Sequence, residues 1–280
     1  MGDFDFIFMA DCQLGAYATF SGMSENDVAA YAGRGMRVEA VPLVEGFEWD
    51  AARYREAIRA ANHRRPDFIV MGGDMVDDPN DEAQLEEVLR ITSGLDGDIP
   101  MRWVPGNHDL GADTVVPTPN SIENYRLAFG PDYYAFDHGA VRFVVMNTVV
   151  LDHPENVLDE LAEQFEFLAT TLAAAQADDK TVALLGHHPL FLTDYAEEDC
   201  YWNLPLERRR VILELIEKHR VPLGLAGHWH RNSIARHGDF EMVTTGAVGY
   251  PLGADPSGFR VVAVDHGRFT HEYIPLSEVQ

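Results

Sequence analysis

Five apolar runs in this chain each stop at a group able to hold a cation, and that repetition restricts the fold more than any other feature. FDFIFMA ends at Asp11, FIVMGG at Asp74, MRWVPG at Asn107, His108 and Asp109, TVALLG at His187 and His188, and PLGLAG at His228 and His230. A carboxylate or imidazole at the end of a buried strand is costly unless something of opposite charge or a hydrogen-bond partner meets it. Four of the five runs place Gly directly before the polar cluster, which permits a sharp turn and a close backbone approach. None of the five offers Cys. Ligands commonly bind at strand ends in α/β architectures, so these segments are expected to converge on one site.

The rest of the chain suits that expectation. Strand-like runs at 4–10, 67–72, 101–104, 141–147, 181–186 and 221–226 alternate with helical segments at 49–62, 81–93, 120–129, 156–176 and 205–219. After residue 239 the pattern changes to closely spaced strands at 240–245, 259–265 and 268–274. Alternating β and α followed by a strand cluster predicts two packed sheets flanked by helices. The 280 residues are expected to form a single domain, 1–280, with 15–48 as a long loop near the end of the first strand.

Charge limits the partners. The formal net charge of −25 opposes binding to nucleic acid or to an anionic membrane. No apolar stretch is long enough to span a bilayer. The two cysteines, Cys12 and Cys200, make no CxxC pair, which fits a reducing compartment. With no signal-like segment before the first strand, the expected location is cytoplasmic.

The ordered pattern DxQ, GD, GNHD, H and GHxH resembles the calcineurin-like metallophosphoesterases, from Asp11 to His230. HHPLFLTDYAEEDCYWNLP and AVGYPLGADPSGFRVV are similar to the branch named calcineurin-like phosphoesterase domain-containing protein, whose first motif also carries Gln. The resemblance implies a four-layer α/β/β/α sandwich of two mixed sheets and a centre of two metal ions. Asp11 and His230 would bind the first metal, with Gln13 in place of the family's usual histidine. Asn107, His187 and His228 would bind the second, and Asp74 would bridge. His108 would be the catalytic acid, with Asp109 orienting it.

The donor chemistry is compatible with these roles. Oxygen and imidazole ligands without thiolate suit Mn, Fe or Zn. Two carboxylates leave about half of the charge of two divalent ions unneutralised, enough to draw in a phosphate and to lower the pKa of a bridging water. The resulting hydroxide would attack phosphorus in line while His108 protonates the departing oxygen. Gln13 has two readings: an amide oxygen donor weaker than imidazole, or a side chain turned away that only hydrogen-bonds locally.

The implied activity is a metal-dependent phosphomonoesterase on a small phosphate ester or a phosphoprotein. A phosphodiesterase on small or nucleotide diesters, and a binding module that has lost catalysis on the same fold, are the alternatives. The intact GNHD argues against the last. Tyr201 and Trp202, in the acidic loop LTDYAEEDCYWNLP, could hold a planar or apolar group or pack inward. Arg231 and Asn232 follow the last motif and could contact phosphate, or Arg231 could simply be exposed.

Overall fold

The computed structural model describes residues 3–111 and 116–279. Its strands in chain order are β1 (Phe4–Met9), β2 (Phe68–Met71), β3 (Met101–Trp103), β4 (Tyr134–His138), β5 (Val141–Val145), β6 (Thr181–Leu185), β7 (Leu223–Ala226), β8 (Ser233–His237), β9 (Phe240–Thr244), β10 (Gly258–Asp265) and β11 (Arg268–Pro275). The helices are α1 (Ala16–Thr19), α2 (Glu25–Gly33), α3 (Glu48–Arg64), α4 (Glu82–Thr92), α5 (Asn107–Leu110), α6 (Pro119–Phe129), α7 (Thr148–Asp152), α8 (Leu158–Ala177) and α9 (Leu206–His219).

The strands form two mixed sheets. One has the order β11-β10-β1-β2-β3 and the other β4-β5-β6-β7-β9-β8. β1 runs parallel to β2, with Phe6 beside Phe68, and antiparallel to β10. In the second sheet β5, β6, β7 and β9 are parallel. Parallel strands covered on both faces read as unbroken apolar runs, and β2, β6 and β7 do so.

Three apolar clusters define four layers. Phe6, Phe8, Phe68 and Val70 of the first sheet pack against Phe143, Val145, Leu185 and Leu225 of the second. Ile7, Met9, Ile69 and Met71 point the other way, onto Tyr54 and Ile58 of α3, Val88 of α4 and Ile122 of α6. Val144, Val182 and Leu184 are covered by Leu168 and Leu172 of α8 and Ile212 and Ile216 of α9. The fold is the α/β/β/α sandwich that the motifs imply. Its helices start at recognisable caps: the Asp81 side chain accepts from Ala83 N–H before α4, and Thr118 pairs with Ser121 ahead of Pro119 in α6.

Two differences from the sequence expectations have physical reasons. β4 (YAFDH) and β8 (SIARH) lie at the two edges of the second sheet. Edge strands carry polar residues that dilute the strand signal. Residues 15–48, expected as one loop, contain α1 and α2. α2 buries none of its residues, so its sequence lacks the apolar periodicity that marks a helix. The segment packs instead through Tyr17, Phe20, Tyr31, Met36 and Val38 onto Tyr250, Leu252 and Trp202.

Candidate metal centre

The carboxyl ends of β1, β2, β3, β6 and β7 meet along one edge of the sandwich, stitched by backbone bonds. Asp11 N–H donates to Gly73 O at 2.9 Å, Gln13 N–H to Asp74 O at 2.9 Å, and Gly227 N–H to His187 O at 3.0 Å. These contacts need small residues. A Cβ on Gly106 would stand 2.1 Å from Asp74 Oδ1, and one on Gly73, whose φ is +97°, 2.4 Å from His187 Nδ1. The ends turn sharply as well. Asp11, Gln13, Asp74, His228 and His230 all have positive φ, five of the nine non-glycine residues in that region among those described.

The turns bring two ligand clusters together. Donor atoms of Asp74, His187 and His228 lie within 4.8 Å of one another, and so do those of Asp11, Asp74 and His230. Asp74 belongs to both. Its Oδ2 is 3.1 Å from His187 Nε2, which is 3.1 Å from Asn107 Oδ1. Asp11 Oδ1 stands 3.3 Å from His230 Nε2. Backbone N–H groups hold both carboxylates in place, His228 N–H on Asp11 and His108 N–H on Asp74.

The imidazole tautomers follow from their other partners. His187 Nδ1 faces Gly72 O at 2.8 Å, and His230 Nδ1 faces Tyr250 O at 2.6 Å. A carbonyl only accepts, so each Nδ1 carries its proton and each Nε2 is aimed at the carboxylates. His228 is reversed. Its Nε2 donates to Tyr201 O at 2.9 Å, which leaves Nδ1 to face Asp74 and His187. At His187, the lone pair of Nε2 stands 3.1 Å from Asp74 Oδ2 and needs a positive charge between them, a proton or a metal ion.

The electrostatics say the same. Burial alone would lower the pKa of His187, but Asp74, with help from Asp11, lifts it to about 9. Burial opposes ionisation of Asp74 too, yet His187 and His108 hold it well below the usual carboxylate range. His228, farther from the carboxylates, is pushed down to about 4 by burial and by His187. The site attracts positive charge between Asp74 and His187 and keeps a neutral imidazole at its margin.

One buried atom tests whether a metal suits these residues. Gln13 is 3% exposed; its Nε2 donates to Asp77 Oδ1 at 3.0 Å, and its Oε1 has no hydrogen-bond partner. A buried acceptor without a donor is costly, and a cation beside Asp11 would satisfy it. The donor set of carboxylates, amide oxygens and imidazoles therefore fits the two ions that the motifs imply.

The neighbours differ from expectation in three places. Asp109 does not orient His108. Its carboxylate accepts from the N–H groups of Asp74, Met75 and Gly106, each at 2.8 Å, and so clamps two ligand-bearing turns together. Burial and the nearby Asp74 charge push it up to about 7 against the Gly106 and Met75 N–H donors. His108 Nδ1 faces Asp77 O at 2.8 Å instead. Arg231 points away from the clusters: it donates to Leu252 O at 3.0 Å and to Gly35 O. Asn232 accepts from Arg260 Nη2 and Gly246 N–H and does not reach the site either.

A cavity of about 650 Å³ opens onto both clusters. Gln13, Asp74, His108, His228 and His230 form its floor, with Tyr201 and Trp202 on one wall. The loop carrying these aromatics is built around charge. Buried Arg209 donates to the carbonyls of Leu204, Tyr195 and Glu197, and Glu197 accepts from the N–H groups of Leu192, Thr193 and Asp194. That frame fixes Tyr201 O, which orients His228. Thr148 has a similar task, its Oγ1 accepting from both His187 N–H and His188 N–H. The His188 and His228 ring centroids lie 4.2 Å apart, with the ring planes tilted by 47°. Nothing in the sequence reading singles out Asp77, although it follows Asp74 by three residues in GDMVDD; Thr148 and the Tyr250 carbonyl carry no sequence signal.

A two-sheet sandwich with paired ligand clusters sharing one carboxylate at its strand ends is the architecture of a metal-dependent phosphoester hydrolase. The family described as calcineurin-like phosphoesterase matches residues 5–232. The chain is 34% identical over 244 residues to serine/threonine-protein phosphatase CPPED1 of Danio rerio, covering 84% of this chain and 78% of that one. To the Homo sapiens protein of the same name it is 31% identical over 244 residues, covering 84% and 77%. A dimetal phosphatase structure from Danio rerio shares the fold with a TM-score of 0.64 at 15% identity, over 98% of this chain and 96% of that one. The chain belongs to the calcineurin-like phosphoesterase family, and it is a metal-dependent phosphatase.

Proposed function

We propose that the chain is a phosphomonoesterase whose reaction takes place over Asp74. The observation that carries this is the sharing of Asp74 by two ligand clusters on the floor of a cavity that His108 also lines. Asp11, Gln13, Asp74 and His230 would hold one ion, and Asp74, Asn107, His187 and His228 the other, drawn from Mn, Fe or Zn. Such ions supply Lewis acidity toward the phosphoryl group and an activated water.

The protein's own residues do the rest. Asp11 and Asp74 are held ready by backbone N–H donors, so little reorganises when charge develops. His187 and His230 keep their Nδ1 protons on backbone carbonyls, which presents Nε2 inward throughout. His108 receives its orientation from the Asp77 carbonyl through Nδ1 and offers the acid for the leaving oxygen, a contribution of roughly 10²–10⁴ in rate. The name of the curated relatives makes phosphoserine and phosphothreonine the first protein substrates to assay. The location consistent with a chain of this charge and cysteine content is cytoplasmic.

The test compares p-nitrophenyl phosphate with its bis ester on Mn-loaded protein, for the wild type and His108→Ala. A monoesterase turns over the first at least tenfold faster than the second, and His108→Ala loses most of that rate while retaining bound metal. Preference for the diester would replace this reading by a phosphodiesterase. No turnover by a folded, metal-loaded protein would replace it by a binding module.

A further inference from the structure

The cavity above the clusters is much larger than a phosphate group, and what lines its far side describes the rest of the substrate. Phe20, Tyr31, Met36 and Leu252 face Tyr201 and Trp202 across it. Among the described residues that line it, Arg34 is the one that is permanently cationic. We propose that Arg34 is a specificity residue, and that the preferred substrates are phosphomonoesters whose alcohol portion carries a planar or apolar body and a second anionic group. This rests on the phosphomonoesterase reading and adds the chemistry of the leaving group to it.

Three observations support the assignment. First, the position of Arg34 is built. The turn that bears it is fixed by Arg231, which donates to Gly35 O and Leu252 O, and by Arg37 N–H, which donates to Leu252 O at 2.9 Å. The adjoining Tyr250 carbonyl orients His230. One loop thus sets both a candidate ligand and the Arg34 turn. Second, no ion pair engages Arg34 among the described residues, although acids outnumber bases by 46 to 21 in the chain. Its guanidinium instead lies 5.7 Å from the centroid of the Tyr31 ring, a cation–π arrangement that leaves its N–H donors for an anion. Third, the remaining charge at the cavity is acidic, from Asp74 and Asp77. A second anion on a substrate would be repelled everywhere in the cavity but beside Arg34 and the metal ions, which gives that group one place to bind.

The same chemistry could reach the site on a small aryl ester or on a phosphopeptide with an aromatic and an acidic residue beside the phosphorylated one. Two substrate pairs separate these sources. Phenyl phosphate and 4-carboxyphenyl phosphate differ only in a carboxylate. Two phosphoserine peptides, each with a neighbouring Phe, differ only by Glu against Gln. Wild-type protein is expected to favour the carboxylated member of at least one pair by roughly tenfold in kcat/KM, chiefly through KM, as a charge-assisted hydrogen bond to the exposed Arg34 allows. Arg34→Gln should abolish the preference, and Arg34→Lys should retain part of it. The preference should also shrink as salt is raised.

A second readout needs no turnover: binding of benzylphosphonate and 4-carboxybenzylphosphonate to Mn-loaded protein, followed by tryptophan fluorescence. The carboxylated phosphonate should bind more tightly to the wild type and equally to Arg34→Gln. An equal preference in wild type and Arg34→Gln, in both substrates and phosphonates, overturns the proposal. If no ester of either pair is hydrolysed, the phosphomonoesterase reading fails, and the phosphonates still decide the role of Arg34.

Discussion

Replacing Gln13 by Met separates the cost of an unpaired amide from its use as a ligand. In metal-free protein the wild-type Oε1 is buried without a donor, a burden of about 1–3 kcal/mol. Met removes that burden and also removes the Nε2 bond to Asp77, worth about 1 kcal/mol. Asp77 keeps the hydroxyl of Thr19, which donates to Oδ2 at 2.7 Å. The net is a gain, so metal-free stability should rise by about 0–2 kcal/mol. With metal the balance changes. Loss of one ligand oxygen should weaken one ion by on the order of tenfold or more, since even supporting partners of metal ligands are worth 10–100-fold. At excess metal this removes about 1.4–2.7 kcal/mol of the stabilisation that binding confers. Urea unfolding in chelator and in excess Mn measures both quantities, and metal content after dialysis should fall toward one ion per chain. If Gln13→Met and the wild type gain the same stability from Mn and keep the same content, Gln13 is no ligand and its orphaned oxygen needs another account.

Further perturbations test the surrounding frame. Gly106→Ala puts a methyl group 2.1 Å from Asp74 Oδ1; the variant should lose metal and activity together, seen as metal content and p-nitrophenyl phosphate turnover, with at least about 1–3 kcal/mol of stability lost. Buried Asp50 accepts from Gly15 and Tyr17 N–H, yet burial pushes it up to about 7. A raised folded pKa gives stability that is complete below the unfolded value near 4 and is lost as pH rises through 7. Asp50→Asn cannot ionise, so its stability relative to wild type should climb between about pH 4 and pH 7 in urea titrations, by roughly 1.4 kcal/mol per pKa unit removed. Glu197 has the opposite sign: burial would raise it, but its hydrogen bonds from Asn203, Leu192 and Thr193 hold it at about 2. Its contribution is present above about pH 4.5 and fades as pH falls through 2, and Glu197→Gln should flatten that acid limb in circular dichroism at constant temperature.

The strands that matter most to the site were the most legible ones. β1, β2, β6 and β7 are buried on both faces, so FIFM, FIVM, TVALL and LGLA advertise themselves, and the polar groups at their ends stand out by contrast. What surrounds the site was less legible for two reasons. Residues that orient the ligands do so through backbone atoms: the carbonyls of Gly72, Tyr250 and Tyr201 serve His187, His230 and His228 whatever side chains stand there. Side chains that do contribute are separated from their partners in sequence and follow no spacing rule. The resemblance pairs Asp109 with its neighbour His108, but it grips Asp74 and Met75 from 35 and 34 residues away. The place of Arg231 after the last motif suggests a phosphate contact or an exposed side chain, yet it reaches Gly35 across 196 residues of chain. Adjacency in sequence suggested both roles, and topology overruled it.

The left-handed turns connect these points. Asp11, Gln13, Asp74, His228 and His230 each adopt a φ between +32° and +67°, a region that costs an ordinary residue about 1 kcal/mol or more and that glycine enters freely. Glycine would relieve the strain at all five positions and would remove every side chain that gives the site its purpose. The strain must therefore be held by neighbours, and the structure identifies them: three N–H bonds to Asp109 tie the turn at Asp74 to the one at Asn107, and the His228 N–H is held on Asp11. Such turns pull the ligands of two sheets toward one point, which extended strand ends could not do, since alternate residues there face opposite sides. Asp109 on this view acts on chemistry it never touches. Its loss would free the turns to relax toward ordinary backbone, carrying Asp74 out of one cluster or the other, and the two-cluster arrangement would go with it.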